Sequence, residues 1–215
     1  MRSFRLLLIA LALGVAPAQA QFREQTPEQG GLGFTLDAAF AQLSGGGNGM
    51  VGDSVGSGFG LAAFGFYQPT QYPVRLGLGG SYTRFSTTGP GDAFNKVSVY
   101  GAGAWRIADP NTSIVPYIGG NIGYVHLDDD EFFCVNTDVT TCPTEDLRRG
   151  RTWSGLELGA FVGVDLPMSE TVNFDVAGSF SWLALGDVAA GGETIPSTST
   201  NVSTFGLRAG ITVFP

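Results

Sequence analysis

Residues 155–166, GLELGAFVGVDL, alternate between two faces without a break. Leu156, Leu158, Ala160, Val162, Val164 and Leu166 fall on one side of an extended chain. Gly155, Glu157, Gly159, Phe161, Gly163 and Asp165 fall on the other. A period of two marks a strand, and this run outlasts the average globular strand of about 5–6 residues. It matches the roughly 9–11 tilted residues that carry a strand across a bilayer.

The pattern recurs and predicts eight strands: Gly31–Leu43, Ser57–Gln68, Val74–Ser86, Asn95–Ile107, Val115–Leu127, Thr152–Leu166, Val172–Leu185 and Val202–Phe214. The second is the least distinct, because Gly and Ala blur both faces. Connections of two kinds separate them. Pro69–Pro73, Ala108–Ser113 and Pro167–Thr171 are short and contain proline. Ser44–Gly56, Thr87–Phe94, Asp128–Arg151 and Gly186–Thr200 are long and polar. Short turns at one end and long loops at the other describe an antiparallel meander of the outer-membrane kind. The expected fold is all-β: an eight-stranded antiparallel up-and-down transmembrane β-barrel over residues 31–215.

Alternation alone does not say which face is inside, since a soluble lipocalin-like barrel also alternates. Composition decides. The polar face carries only eight charges: Asp37, Arg75, Lys96, Arg106, Glu157, Asp165, Asp175 and Arg208. A soluble surface is about 25–35% charged, whereas this face is mostly Gly, Ser, Thr and Ala, as suits a narrow, filled interior. Lys96 is the single lysine, and mean hydropathy is +0.15. Trp105, Tyr117, Trp153, Phe174, Trp182 and Phe205 lie toward strand ends, where interfacial girdles are expected.

The eight charges balance, four of each sign, and an unpaired buried charge is costly. They are therefore expected to form an interior network. Counting up from the short turns puts Arg75, Arg106, Asp165 and Asp175 in a lower layer. Asp37 and Arg208 fall at similar height on the two closing strands, and Lys96 and Glu157 sit higher. Ion pairs at three levels argue against a wide pore.

Residues 1–20 read as a secretory signal: Arg2 and Arg5, an apolar stretch Leu6–Val15 and the cleavage site Ala18-Gln19-Ala20. The mature chain is expected to begin at Gln21, with 21–30 a short periplasmic segment. Loss of the two signal arginines takes the net charge from −8 to about −10, which disfavours a nucleic-acid partner. Cys134 and Cys142 lie close together in an oxidising compartment, and a disulfide is expected.

With these strands placed, the chain resembles the small eight-stranded outer-membrane barrels: the OmpA transmembrane domain, the OmpX and opacity-protein group and the broad outer membrane protein β-barrel family. Val115–Tyr124 (VPYIGGNIGY) and Thr204–Phe214 (TFGLRAGITVF) carry the likeness most clearly. The resemblance implies residence in the bacterial outer membrane among lipid and lipopolysaccharide, and insertion by the barrel-assembly machinery. That machinery reads a terminal aromatic residue, whereas here Phe214 is penultimate and Pro215 last.

Little in the sequence reads as chemistry. Barrels of this size that remove acyl chains from lipid A use a His-x-Ser motif, but this chain has His126-Leu127-Asp128. Asp128–Glu131 lacks the spacing and glycine of a calcium loop and reads as a solvated acidic segment. Arg148, Arg149 and Arg151 near the outer rim are candidates for lipopolysaccharide phosphates. No cofactor, metal or catalytic residue is expected. The expected protein is a monomeric, non-enzymatic barrel with a structural or surface-contact role through its long loops, in particular Asp128–Arg151, which are the expected seat of any extracellular ligand. The rival readings are a narrow porin-like channel and, further off, a lipid A-modifying enzyme or a soluble barrel.

Overall fold

A computed structural model describes residues 31–44, 55–69, 72–87, 93–107, 113–134, 147–190, 193–195 and 200–215. The proposed signal and the 21–30 segment lie outside these residues. So do Cys142 and the side chains of Cys134, Arg148 and Arg149.

Eight long strands form the wall: β1 (Gly31–Ser44), β2 (Val55–Gln68), β3 (Val74–Thr87), β4 (Ala93–Arg106), β5 (Val115–Cys134), β6 (Leu147–Pro167), β7 (Val172–Ala190) and β9 (Thr200–Val213). A three-residue strand, β8 (Glu193–Ile195), pairs only with the upper end of β7. Each wall strand is antiparallel to its neighbours in chain order. The β6–β7 and β1–β9 pairings close the sheet on itself, so no edge is left open. The eight-stranded antiparallel barrel expected from the alternation is the fold observed.

The register fixes the shape of the wall. One outward-facing row runs Ile118, Val162, Gly178, Leu207, Phe40, Phe59, Arg84, Asn95 and returns to β5 at Asp128, ten positions above its start. With roughly 3.3 Å per residue and roughly 4.8 Å between strands, a stagger of that size tilts the strands by about 40°. Rows perpendicular to the strands therefore climb around the barrel as a shallow spiral.

Alternation sorts the faces. On β1, Leu32, Phe34, Leu36 and Phe40 are exposed on the outer wall, whereas Thr35, Asp37, Ala41 and Leu43 are buried inside. On β6, Leu156, Leu158 and Val162 face out, and Glu157, Phe161 and Asp165 face in. Two of the six expected girdle aromatics point the other way. Tyr117 and Trp153 are buried in the interior, because they share the parity of Asn121 and Glu157 on their strands. Trp105, Phe174, Trp182 and Phe205 do face outward.

Two expected loops are shorter than their sequence suggested. The β5–β6 ladder continues past the end of β4 as a hairpin, pairing Cys134 with Leu147. Its register shifts between Asp129 and Phe132, opposite Gly150, whose φ of 80° is a backbone setting that favours glycine at such a bulge. The polar stretch 128–151 is thus partly strand, and likewise β7 runs on to Ala190 within the expected loop 186–200. The backbones of β6 and β7 approach closely at Gly155, beside a register shift, and a Cβ there would collide with the carbonyl oxygen of Ala184. A Cβ on outward-facing Gly65 would meet nothing. Gly155→Ala is expected to lose about 1–3 kcal/mol of stability by overpacking, and Gly65→Ala to leave it unchanged. Urea titration of the refolded barrel, followed by heat-modifiable gel mobility, measures both.

Candidate functional site

The interior is built in layers, and the lowest is a floor. The Arg75 guanidinium meets the Asp165 carboxylate through both terminal nitrogens, at 2.6 and 3.2 Å, and its Nε donates to Gln68 Oε1 at 2.7 Å. The same cation lies over the rings of Phe66 and Phe214, 5.0 and 5.8 Å from their centroids. Two-pronged pairing and ring faces satisfy a guanidinium far better than an ammonium. Phe214 is thus buried inside the barrel, packed edge-on against Phe66. Arg106, on the next strand, is buried, and its Nε makes no hydrogen bond among the described residues.

Asp175 stands directly across the β6–β7 ladder from Asp165. Like charges so placed repel, and their partners keep them apart: Asp165 is held by Arg75, while Tyr117 donates its hydroxyl to Asp175 Oδ2 at 2.5 Å. Arg208 serves two acids at once, with Nε 3.7 Å from Asp37 Oδ2 and 4.0 Å from Asp175 Oδ1. Its guanidinium also covers the Phe161 ring at 4.9 Å. Above this level, Lys96 Nζ donates to Glu157 Oε1 at 3.0 Å, and Ser98 Oγ donates to the other carboxylate oxygen at 2.5 Å. At the closing seam, Thr35 and Thr212 join hydroxyls at 2.8 Å. Between the layers lies a cavity of only about 120 Å³, bordered by Asp37, Tyr100, Asn121, Asp175 and Arg208.

The top layer is not polar. Leu43, Phe85, Phe94, Val125, Leu127, Trp153, Leu183, Leu185 and Val202 form one buried apolar cluster inside the upper barrel. Phe94 packs against both Phe85 and Trp153, each at 6.1 Å between centroids. Arg151 lies over the Trp153 ring at 5.4 Å, on the inward parity of β6. It caps this plug.

On the outer wall, His126 Nδ1 and Ser154 Oγ lie 2.9 Å apart across β5 and β6. Tyr82 on β3 donates to Asn95 on neighbouring β4 at 2.9 Å. Neither His126 nor Ser154 contacts a carboxylate among the described residues. Below them the wall is continuously apolar: Leu76, Leu78, Val97, Val99, Ile118 and Ile122 are all exposed. No cluster of metal-ligating side chains occurs among the described residues.

No protein-family model and no curated protein matches the chain. Solved structures do. Neisserial surface protein A superposes with a TM-score of 0.57 at 19% identity, covering 86% of this chain and 97% of that one. The outer membrane protein OprG from Pseudomonas aeruginosa gives 0.50 at 12%, covering 86% and 95%. A closed eight-stranded wall with a polar, ion-paired inside and a bare apolar outside defines the class. It is a small β-barrel of the outer-membrane type, whose solvent on the outside is lipid.

Proposed function

We propose that this is an integral outer-membrane scaffold, monomeric and non-enzymatic, whose lumen is sealed and whose work is done by its outer wall and projecting hairpins. One observation carries the reading: the interior is filled at both ends. Arg75, Asp165, Phe66 and Phe214 occupy the lower end, and the Phe85–Phe94–Trp153 cluster the upper. A cavity of about 120 Å³ between them has room for only a few waters. The charges act as paired wall struts. The β5–β6 hairpin, extending beyond β4, presents the contact surface, with Arg148 and Arg149 as its candidate ligands for lipopolysaccharide phosphate. Among the described residues the His126–Ser154 pair lacks the third group that orients a catalytic histidine, which favours the non-enzymatic reading.

In planar bilayers the refolded chain is expected to show no steady openings. Well-defined unitary conductance in the unmodified protein would sink the scaffold reading and restore the narrow channel.

A further inference from the structure

We infer that the outer wall across β6, β7, β9 and β1 holds one membrane lipid in a dedicated seat, with an acyl chain laid in a diagonal groove. The groove is an open depression of about 670 Å³ on the outer surface, lined by Ile118, Val162, Phe180, Phe205, Leu207 and Phe40. This volume lies within the range of small-molecule sites, yet the lining is almost wholly apolar.

Its course follows the stagger of the sheet. Val162, Gly178, Leu207 and Phe40 form one registered row, and Ala160, Phe180, Phe205 and Gln42 the next. Both rows rise around the barrel from the lower third of β5 and β6 toward the upper end of β1. The Phe180 and Phe205 rings, 4.9 Å apart, bank one side. Gly178 and Ala160 leave the middle bare. The glycine is not demanded by the wall, since a Cβ on Gly178 would meet only Leu207 Cδ2, at an ordinary 3.8 Å. At Gly210, by contrast, a Cβ would strike the backbone of Leu36. The wall accepts a larger residue at 178, and the groove exists because none is there.

The occupant follows from the groove's place. It opens within the apolar belt and is continuous with the lipid-facing surface, so its neighbours are acyl chains. A narrow apolar groove that crosses four strands along these rising rows suits a single flexible hydrocarbon chain. At the upper end Gln42 supplies a polar rim, and along the same rows follow exposed Ser57 and Arg84. These are an amide, a hydroxyl and a cation, groups whose chemistry suits a lipid ester and phosphate. The inference rests on the outer-membrane reading above.

The test uses the full chain refolded into dimyristoyl phosphatidylglycerol vesicles doped with a phosphatidylglycerol bearing a diazirine on one acyl chain. After illumination, adducts are mapped by mass spectrometry. Labelling at Phe180, Phe205 and Leu207 is expected to exceed that at Leu76, Leu78 and Val99 on the far wall by about tenfold. Gly178→Leu should erase that excess while heat-modifiable mobility is kept; Ala160→Leu fills the groove from the next strand if the first variant folds poorly. Even labelling around the wall, or an excess that survives both variants, overturns the seat alone. Disulfide-linked dimers of a separate Leu207→Cys variant, joined at that position after oxidation in the same vesicles, would assign the groove to a second copy and overturn it too. Failure of the unmodified chain to insert overturns both the seat and the membrane reading.

Discussion

Glu157→Ala is expected to destabilise the barrel by about 3–5 kcal/mol. The carboxylate accepts from Lys96 and Ser98, and Lys96 itself is only 6% exposed. Removing the acid strands an ammonium in the interior, with little access to water. The size of the loss therefore measures an uncompensated charge more than the worth of the pair. For that reason Lys96→Met in the same background should return most of the stability, and the double variant Lys96→Met/Glu157→Leu should come close to the unmodified chain. Denaturant titration of refolding into vesicles, read by gel mobility and tryptophan fluorescence, gives all the values. Additive losses in the double variant would show that the two side chains act independently. Arg208 behaves differently because it serves two carboxylates. Asp37→Asn leaves Asp175 in place and is expected to cost clearly less than Arg208→Gln, which strips both acids of their cation.

These layers were legible in the sequence to different depths. Strand parity and distance from the short turns put Lys96 level with Glu157, and Arg75 and Arg106 in one layer with Asp165 and Asp175, because a strand sets height to within a residue or two and face without ambiguity. The double role of Arg208 was not legible. Strand counting pairs it with Asp37 by height, but the register puts Arg208 opposite Ala39 and Ala177, so its side chain must reach sideways to either acid. The apolar plug was missed although its signal was present. Leu43 continues the parity of Asp37, Phe85 that of Arg75, and Leu183 and Leu185 that of Asp175. Placing Trp153 in an interfacial girdle and Phe94 in the loop 87–94 hid the plug. Parity, carried to the last residue, outranks position along the strand. The outer groove lay beyond sequence reasoning altogether, since it depends on the stagger of β6, β7, β9 and β1 around the barrel.

The plug yields the second large effect. Trp153→Ala is expected to cost about 3–5 kcal/mol, the range for truncating a buried aromatic in a core that collapses only partly. Trp153 is 1% exposed, packs on Phe94, and carries Arg151 across its face. Its indole Nε1, however, makes no hydrogen bond among the described residues. A buried donor without a partner contributes nothing favourable and costs its desolvation. Trp153→Phe, which keeps an aromatic ring and removes that N–H, should therefore stay within about 1 kcal/mol of the unmodified protein. A gap of this size between the two substitutions identifies packing, rather than polar contact, as what the residue supplies. Conductance then separates a plug that stabilises from one that gates. Below Trp153 the Lys96–Glu157 pair and the Arg75–Asp165 floor still fill the section, so Trp153→Ala should be less stable yet electrically silent. Steady openings in that single variant would mean the apolar layer alone holds back a conducting path, and the channel reading would displace the scaffold.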